Sequence, residues 1–213
     1  MTGTDDDALF DLPASARVPV RKVVLIAGAS GSGKSSIAHR LGVPVVRLDD
    51  FYLDHDYPGL PRKHGMVDWD SPASWDADSA AAALVNACCE DRLEVPTYDI
   101  PTSRRTGFEA IDIHGASLLL AEGIFAAELL EPLNKAGVLA DAVYLDQSRY
   151  VTAFRRFARD VGESRKPIPA LVKRGVALTR AEPAMVARWR ECGLRPLPIG
   201  TAEAVLRELV PSA

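Results

Sequence analysis

The chain has 213 residues, 47% hydrophobic and 25% charged, which suits one globular domain with a core that needs no disulfide or metal staple. With 25 Lys and Arg against 29 Asp and Glu, the formal net charge is −4. This argues against a general nucleic-acid binder and leaves room only for a local basic pocket. No apolar run reaches the ~20 residues that span a bilayer, and Met1 to Asp7 has neither the basic nor the apolar part of a signal peptide. A cytoplasmic protein is expected. Cys88, Cys89 and Cys192 show no metal-ligand spacing, and neither do His39, His55, His64 and His114. None of these residues is given a role.

Residues 1–20, with Asp5-Asp6-Asp7 and two prolines, read as a loose leader to a single domain over 21–213. Lys22-Val-Val-Leu-Ile-Ala-Gly28 is a short, β-branched apolar run before a Gly/Ser cluster, the signature of a buried parallel strand. A helix is expected over Lys34 to Leu41 and a second strand over Val43 to Leu48, ending at Asp49-Asp50. Residues 51–77 lack periodicity but carry Tyr52, Trp69 and Trp75, so a functional loop is favoured over disorder. Further on, a helix is predicted over Ala77 to Asp91, a strand or small hairpin over Leu93 to Ile100, and a buried strand over Ser117 to Glu122. A helix follows around Ala126 to Ala136, then a strand over Asp141 to Leu145. Helices are predicted over Ser148 to Asp160, 168–180 and 182–191, then a short edge strand at Pro198-Ile199 and a terminal helix. Strands alternating with helices imply a mainly parallel sheet covered on both faces, a three-layer α/β/α fold. The Gly/Ser cluster Gly28-Ala-Ser-Gly31-Ser-Gly33-Lys34-Ser35 between the first strand and helix makes it one of the P-loop NTPase type.

Gly28-Ala-Ser-Gly31-Ser-Gly33-Lys34-Ser35 fits G-x-x-x-x-G-K-[ST] and lies between a predicted strand and a predicted helix, the context the motif requires. Its glycines let backbone N–H groups turn inward, where they and the positive helix end bind a phosphate chain. ATP contacts are therefore expected from Gly28, Ser30, Gly31, Ser32, Gly33, Lys34, Ser35 and Ser36, with Lys34 on the β- and γ-phosphates and Ser35 on Mg²⁺. Asp49 and Asp50 stand where open α/β sheets place ligand groups, and a kinase needs a carboxylate there to take the acceptor's proton. Glu122, closing an apolar run, occupies the metal-side carboxylate position. Arg155, Arg156, Arg159, Arg165 and Lys166 could cover the transferring phosphoryl group, with Gly162 and Pro167 bracketing a lid over about 156–170. A solvated helix face explains that charge run equally well.

Taken with Trp69-Asp70-Ser71-Pro72, Pro96-Thr97-Tyr98-Asp99 and Glu122-Gly123-Ile124, these residues resemble the uridine kinase (uridine–cytidine kinase) family of the phosphoribulokinase group over roughly residues 22–170. The resemblance implies Asp49 as the carboxylate activating a nucleoside 5′-hydroxyl and contributing to the metal site with Ser35 and Glu122. It implies Tyr52 and Tyr98 lining the base pocket, within an acceptor-binding region over about 50–110. Asp70 would hold the ribose hydroxyls, Arg156 and Arg159 would face nucleoside and phosphate, and Lys166 would stand for a lid arginine. The family's histidine five residues after the P-x-Y-D tyrosine, which reads the pyrimidine edge, is Ser103 here. The lid pattern E-R-G-R is Glu163-Ser164-Arg165-Lys166. A small-molecule acceptor is the expected partner, without nucleic acid or membrane, and assembly into a homo-oligomer is compatible with the sequence. Two alternatives stand: a kinase for another riboside, pantothenate or a sugar phosphate, and a non-catalytic nucleotide-binding regulator.

Overall fold

In the computed structural model, the described residues are 18–63, 65–162 and 168–210. Strand β1 (Lys22–Ala27) is buried on both faces. Val23, Leu25 and Ala27 enter one core, while Val24 and Ile26 enter another on the opposite side. Full burial of such side chains stabilises the fold by about 1.5–3 kcal/mol each, so β1 belongs at the centre of a covered sheet. Strands β2 (Val45–Arg47), β7 (Leu118–Glu122), β8 (Leu139–Asp146) and β9 (Arg195–Pro198) join it in the order β2-β7-β1-β8-β9, all parallel. Helices α1 (Lys34–Leu41) and α6 (Ile199–Arg207) cover one face through Ile37, Leu41, Ala202 and Leu206. The other is covered by α2 (Ala77–Ala87), α3 (Leu130–Lys135) and the end of α5 (Ile168–Glu191), through Leu84, Leu133 and Trp189. This is the expected three-layer α/β/α architecture.

Several elements differ from the sequence reading. The second strand is shorter than predicted: Leu48–Phe51 forms a 3₁₀ turn, so Asp49 and Asp50 sit on a turn beyond the strand. Helix α2 ends at Ala87 rather than Asp91, with Cys88 as its C-cap. The hairpin is long. Strand β5 (Arg92–Asp99) pairs antiparallel with β6 (Arg104–Asp112), and β6 escapes prediction because its exposed, polar residues show no apolar alternation. The predicted helices 168–180 and 182–191 are one helix that runs through Pro183. Proline removes one i→i−4 hydrogen bond, but Met185, Val186 and Trp189 beyond it pack on the core. The last strand is Arg195–Pro198, and Ile199 already opens α6. Of the expected leader, residues 1–17 lie outside the described residues, as do His64 and the lid residues Glu163, Ser164, Arg165, Lys166 and Pro167. The amides of Val20 and Arg21 both donate to Cys88 O, at 2.8 and 3.3 Å.

The acceptor-side region stands beside the sheet as small antiparallel pieces. Besides β5–β6 it holds β3 (Arg62–Lys63) and β4 (Met66–Val67). Helix α4 (Arg149–Gly162) lies against the loop after β1. A Cβ on Gly31, whose φ is +88°, would stand 3.0 Å from Thr152 O and 3.2 Å from the Arg156 amide. Only glycine combines that backbone conformation with so close an approach.

Candidate active site

Three neighbouring strands deliver the candidate groups at their C-terminal ends. Glu122 on β7 is level with Ile26 on β1 and Arg47 on β2, so the loop from Gly28, the Asp49 turn and Glu122 meet at one edge of the sheet, where open α/β sheets bind ligands. They line a cleft of about 590 Å³ that also includes Ser30, Ser36, Arg155, Arg159 and Ile199.

Lys34 Nζ donates to Gly28 O at 2.7 Å and Ala29 O at 3.2 Å. Burial lowers its pKa from the ordinary lysine value, with Glu122 and Asp49 opposing and Arg156 and Arg159 reinforcing the shift. Ser35 Oγ donates to Glu122 Oε1 at 2.8 Å. The other carboxylate oxygen of Glu122 is buried and has no hydrogen-bond partner among the described residues. A lone buried carboxylate oxygen beside a hydroxyl is costly and forms a hard oxygen pair suited to Mg²⁺. Among the described residues no group of three or more His, Cys, Asp or Glu could hold a metal alone. Mg²⁺ commonly takes one or two carboxylates together with phosphate oxygens and water.

The two adjacent aspartates separate sharply. Asp50 is buried and accepts both Arg47 Nε (3.0 Å) and Arg47 Nη2 (3.1 Å). Asp49 looks into the cleft with no hydrogen-bond partner among the described residues. Loss of water around it raises its carboxyl above the ordinary value, opposed by Lys34 and reinforced by Glu122 and Asp50. A carboxylate left without donors and facing a cleft can accept a proton.

Beyond Asp49 the wall is aromatic. The Tyr52 ring meets Trp69 edge-on at 5.6 Å and Phe125 at 5.8 Å, and lies 5.8 Å from Tyr98. Tyr52 Oη donates to Trp69 O at 3.1 Å and Tyr98 Oη to Leu53 O at 3.2 Å. Burial foremost, then the charges of Asp49 and Asp70, push the Tyr52 phenol up, so both carboxylates lie near this ring. Asp70 itself is exposed. Ser103 occupies the β5–β6 turn with φ 51°, and its carbonyl accepts the His55 amide at 2.9 Å. Its hydroxyl is close enough to Tyr98 to pull that phenol's pKa back against burial, the larger effect.

Two basic residues lie on the phosphate loop. Arg159 Nη1 donates to Ser30 Oγ at 3.2 Å. Arg156, expected to face the nucleoside, is buried and donates from Nε to Ser30 O at 3.0 Å. It braces the loop backbone in this structure, because α4 packs directly on Gly31. Ser32 is buried within the loop. Arg155 belongs to the expected basic cluster, whereas Ile199 is not among the sequence candidates. A Cβ on Gly33 would lie 3.8 Å from Arg155 Nη1 and 3.4 Å from Ile199 Cδ1. Arg155 was detectable as the i−4 neighbour of Arg159, whereas Ile199 carries no local signal. Phe125 likewise reads as ordinary core.

Gly123 sits tightly under the Asp49 turn. An added Cβ would come within 2.7 Å of Leu48 Cβ and 3.5 Å of Asp49 Oδ1. Gly123→Ala is therefore expected to displace that turn, costing about 1–3 kcal/mol as overpacking does and lowering kcat. Thermal melting and steady-state kinetics check this, and wild-type kcat in a folded variant contradicts it.

The sequence pattern of the phosphoribulokinase / uridine kinase family matches residues 23–174, well over half of the chain. The chain belongs to this family. As a family member it is a phosphotransferase, a kinase of a nucleoside or another small substrate. The chain is 27% identical over 159 residues to a uridine kinase of Lactobacillus helveticus, covering 70% of this chain and 72% of that protein. It is 28% identical over 168 residues to a uridine kinase of Staphylococcus aureus strain Newman, covering 74% and 77%. In fold it is similar to a kinase from Silicibacter provisionally assigned to a fructose transport system, with TM-score 0.54, 21% identity and coverage of 91% and 96%. Among the described residues no helix is long and apolar enough to cross a membrane.

Proposed function

We propose that the protein transfers the γ-phosphoryl group of ATP to the 5′-hydroxyl of a nucleoside, with uridine and cytidine as acceptors. The observation that carries this reading is the placement of Asp49. It stands between the phosphate loop and a wall of four aromatic rings, without a hydrogen-bond partner among the described residues. Aromatic faces suit a planar base. An acidic acceptor would call for a cation on this wall. There Arg105 is bound to Asp76 and backbone carbonyls and Arg104 to Asp56. In this reading the chain is one kinase domain from residue 21 onward, with its acceptor region over about 50–110 and its lid over about 156–170.

The loop amides and Lys34 would hold and polarise the β- and γ-phosphates, and Ser35, Glu122 and Asp49 would hold Mg²⁺. When bound, Mg²⁺ neutralises charge across the β- and γ-phosphates. Asp49 orients the acceptor hydroxyl and accepts its proton as the acceptor O–P bond forms and the bond from the γ-phosphorus to the bridging oxygen breaks, releasing ADP. Arg159, tied to Ser30 Oγ, supplies positive charge to the transferring group. Tyr52 and Tyr98 hold the base, and Ser103 lies where the family reads its edge. A serine hydroxyl both donates and accepts, so uridine and cytidine should react with similar efficiency. ADP release measured with uridine, cytidine, pantothenate, sugar phosphates and no acceptor tests the reading. Acceptor-independent release, or a rate stimulated only by a non-nucleoside alcohol, contradicts it.

Asp70 carries a second expectation. It lies near the Tyr52 ring, exposed and able to accept two ribose hydroxyls. Charge-assisted hydrogen bonds are worth roughly 1.5–3 kcal/mol each. Asp70→Ala is therefore expected to raise the acceptor KM and to leave the ATP KM unchanged, and 2′-deoxyuridine should be a poor substrate for the wild type. Equal kcat/KM for ribo- and deoxyribonucleosides removes Asp70 from this role.

A further inference from the structure

Because the Asp49 carboxylate has no hydrogen-bond partner among the described residues, the backbone of its turn must place it. One side of that turn is held by the segment leading into α2. Trp75 Nε1 donates to Leu48 O at 2.6 Å, and the Asp76 amide donates to Phe51 O at 3.0 Å. From the hairpin side, the side-chain hydrogen bonds to it among the described residues come from one residue. Arg105, on β6, donates from Nε to Tyr52 O at 3.1 Å and from Nη2 to Phe51 O at 3.2 Å. The same Nη2 meets Asp76 Oδ2 at 2.9 Å, and the Arg105 amide donates to Asp54 Oδ1 at 2.7 Å. One guanidinium thus bridges two consecutive carbonyls and the carboxylate that caps α2. A planar fork of donors can do this, whereas an ammonium acts as a single point.

The position of Arg105 in the hairpin gives the clamp its meaning. It is the direct partner of Tyr98 in the β5–β6 register, next to an irregularity between Thr97 and Tyr98. One rung of the hairpin therefore carries the pocket tyrosine on one strand and the clamp on the other. Tyr98 in turn donates to Leu53 O, and the His55 amide donates to Ser103 O, on the same segment. Residue 105 thus hydrogen-bonds the hairpin strand of the acceptor wall to the turn that bears Asp49, beside the packing of Val95 with Leu48 and Phe51 in one core.

We propose that Arg105 is a positioning residue for phosphoryl transfer. It fixes the offset between the acceptor wall and the Asp49 carboxylate, and so the approach of the acceptor hydroxyl to its base. It touches carbonyls and Asp76 rather than reacting groups, and it acts through Asp49. The inference rests on the reading of Asp49 as the group that takes the acceptor's proton.

The test is a double-mutant cycle with MgATP and uridine, using wild type, Asp49→Asn, Arg105→Ala and Asp49→Asn/Arg105→Ala, with Arg105→Lys alongside. Folded fraction is read by thermal melting and all rates are expressed per folded molecule. A misplacement of about 1 Å costs on the order of 10²-fold, so Arg105→Ala is expected to lower kcat about that much with the ATP KM unchanged. Arg105→Lys, able to reach one carbonyl but not to bridge two, is expected to fall between. In the Asp49→Asn background the same Arg105 change should cost less than about tenfold, because residues acting as one unit are not additive. A full, additive loss in that background overturns the proposal, as does wild-type kcat per folded molecule in both Arg105 variants. Should Arg105→Ala not fold, the cycle is closed with Arg105→Lys and judged in the same way. Unimpaired turnover by Asp49→Asn alone sinks the underlying reading of Asp49, which separates that failure from failure of the clamp.

Discussion

Asp49→Asn is expected to reduce phosphoryl transfer by ~10²–10⁴-fold, the usual cost of losing a general base, while ATP binding persists. The amide keeps the shape of the side chain but cannot take a proton. No hydrogen bond among the described residues depends on the lost charge, and Lys34 keeps the Glu122 carboxylate to offset its burial. The neighbouring aspartate is the control. Asp50 is buried and bound to Arg47 through both carboxylate oxygens, so Asp50→Asn should lower thermal stability more than turnover. Greater damage to kcat from Asp50→Asn than from Asp49→Asn would assign the chemistry to the other residue of the pair.

Lys34→Ala should cost at least ~10²-fold in kcat, the scale of removing one preorganised electrostatic contact, and the protein should stay folded. The second half of this expectation follows from the sign of the lysine's pKa shift. Burial lowers the Lys34 pKa below 10.5, so the folded state holds the charged form at a penalty. That penalty is present in full below the lowered value and vanishes as pH rises past the ordinary one. Near neutral pH the alanine variant therefore loses a destabilising charge, and its melting temperature without nucleotide should equal or exceed that of the wild type. Near-normal turnover would remove Lys34 from the transfer step. A collapsed melting temperature would make its contacts to Gly28 O and Ala29 O structural instead.

The central strands were legible in the sequence because they are buried: the apolar runs behind Lys22–Ala27 and Leu118–Glu122 leave few other readings, and the expected strand Asp141–Leu145 lies inside Leu139–Asp146. The phosphate loop was legible because its glycines and lysine have one backbone solution. The acceptor side was not, because it is built from side chains reaching distant backbone. Trp75 reaches Leu48 O, Tyr52 reaches Trp69 O, Tyr98 reaches Leu53 O, and Arg105 reaches Phe51 O and Tyr52 O. None of these contacts leaves a periodic trace. Adjacent basic residues were also indistinguishable by type alone. By residue type Arg105 carries no signal, and Arg156 is expected to face the nucleoside. In the structure Arg105 clamps the Asp49 turn and Arg156 braces Ser30 O. The resemblance alone singles out Asp49 in the sequence; the physical difference from Asp50 lies in the 3₁₀ turn, which points one carboxylate at Arg47 and the other at the cleft.

The most direct test of the nucleoside kinase reading is to identify the product. Purified protein with MgATP and uridine or cytidine should yield the corresponding 5′-monophosphate, seen by phosphorus NMR and mass spectrometry, with ADP formed in equal amount. ADP without phosphorylated nucleoside, or efficient phosphorylation of a different alcohol while both pyrimidine nucleosides remain untouched, would contradict it.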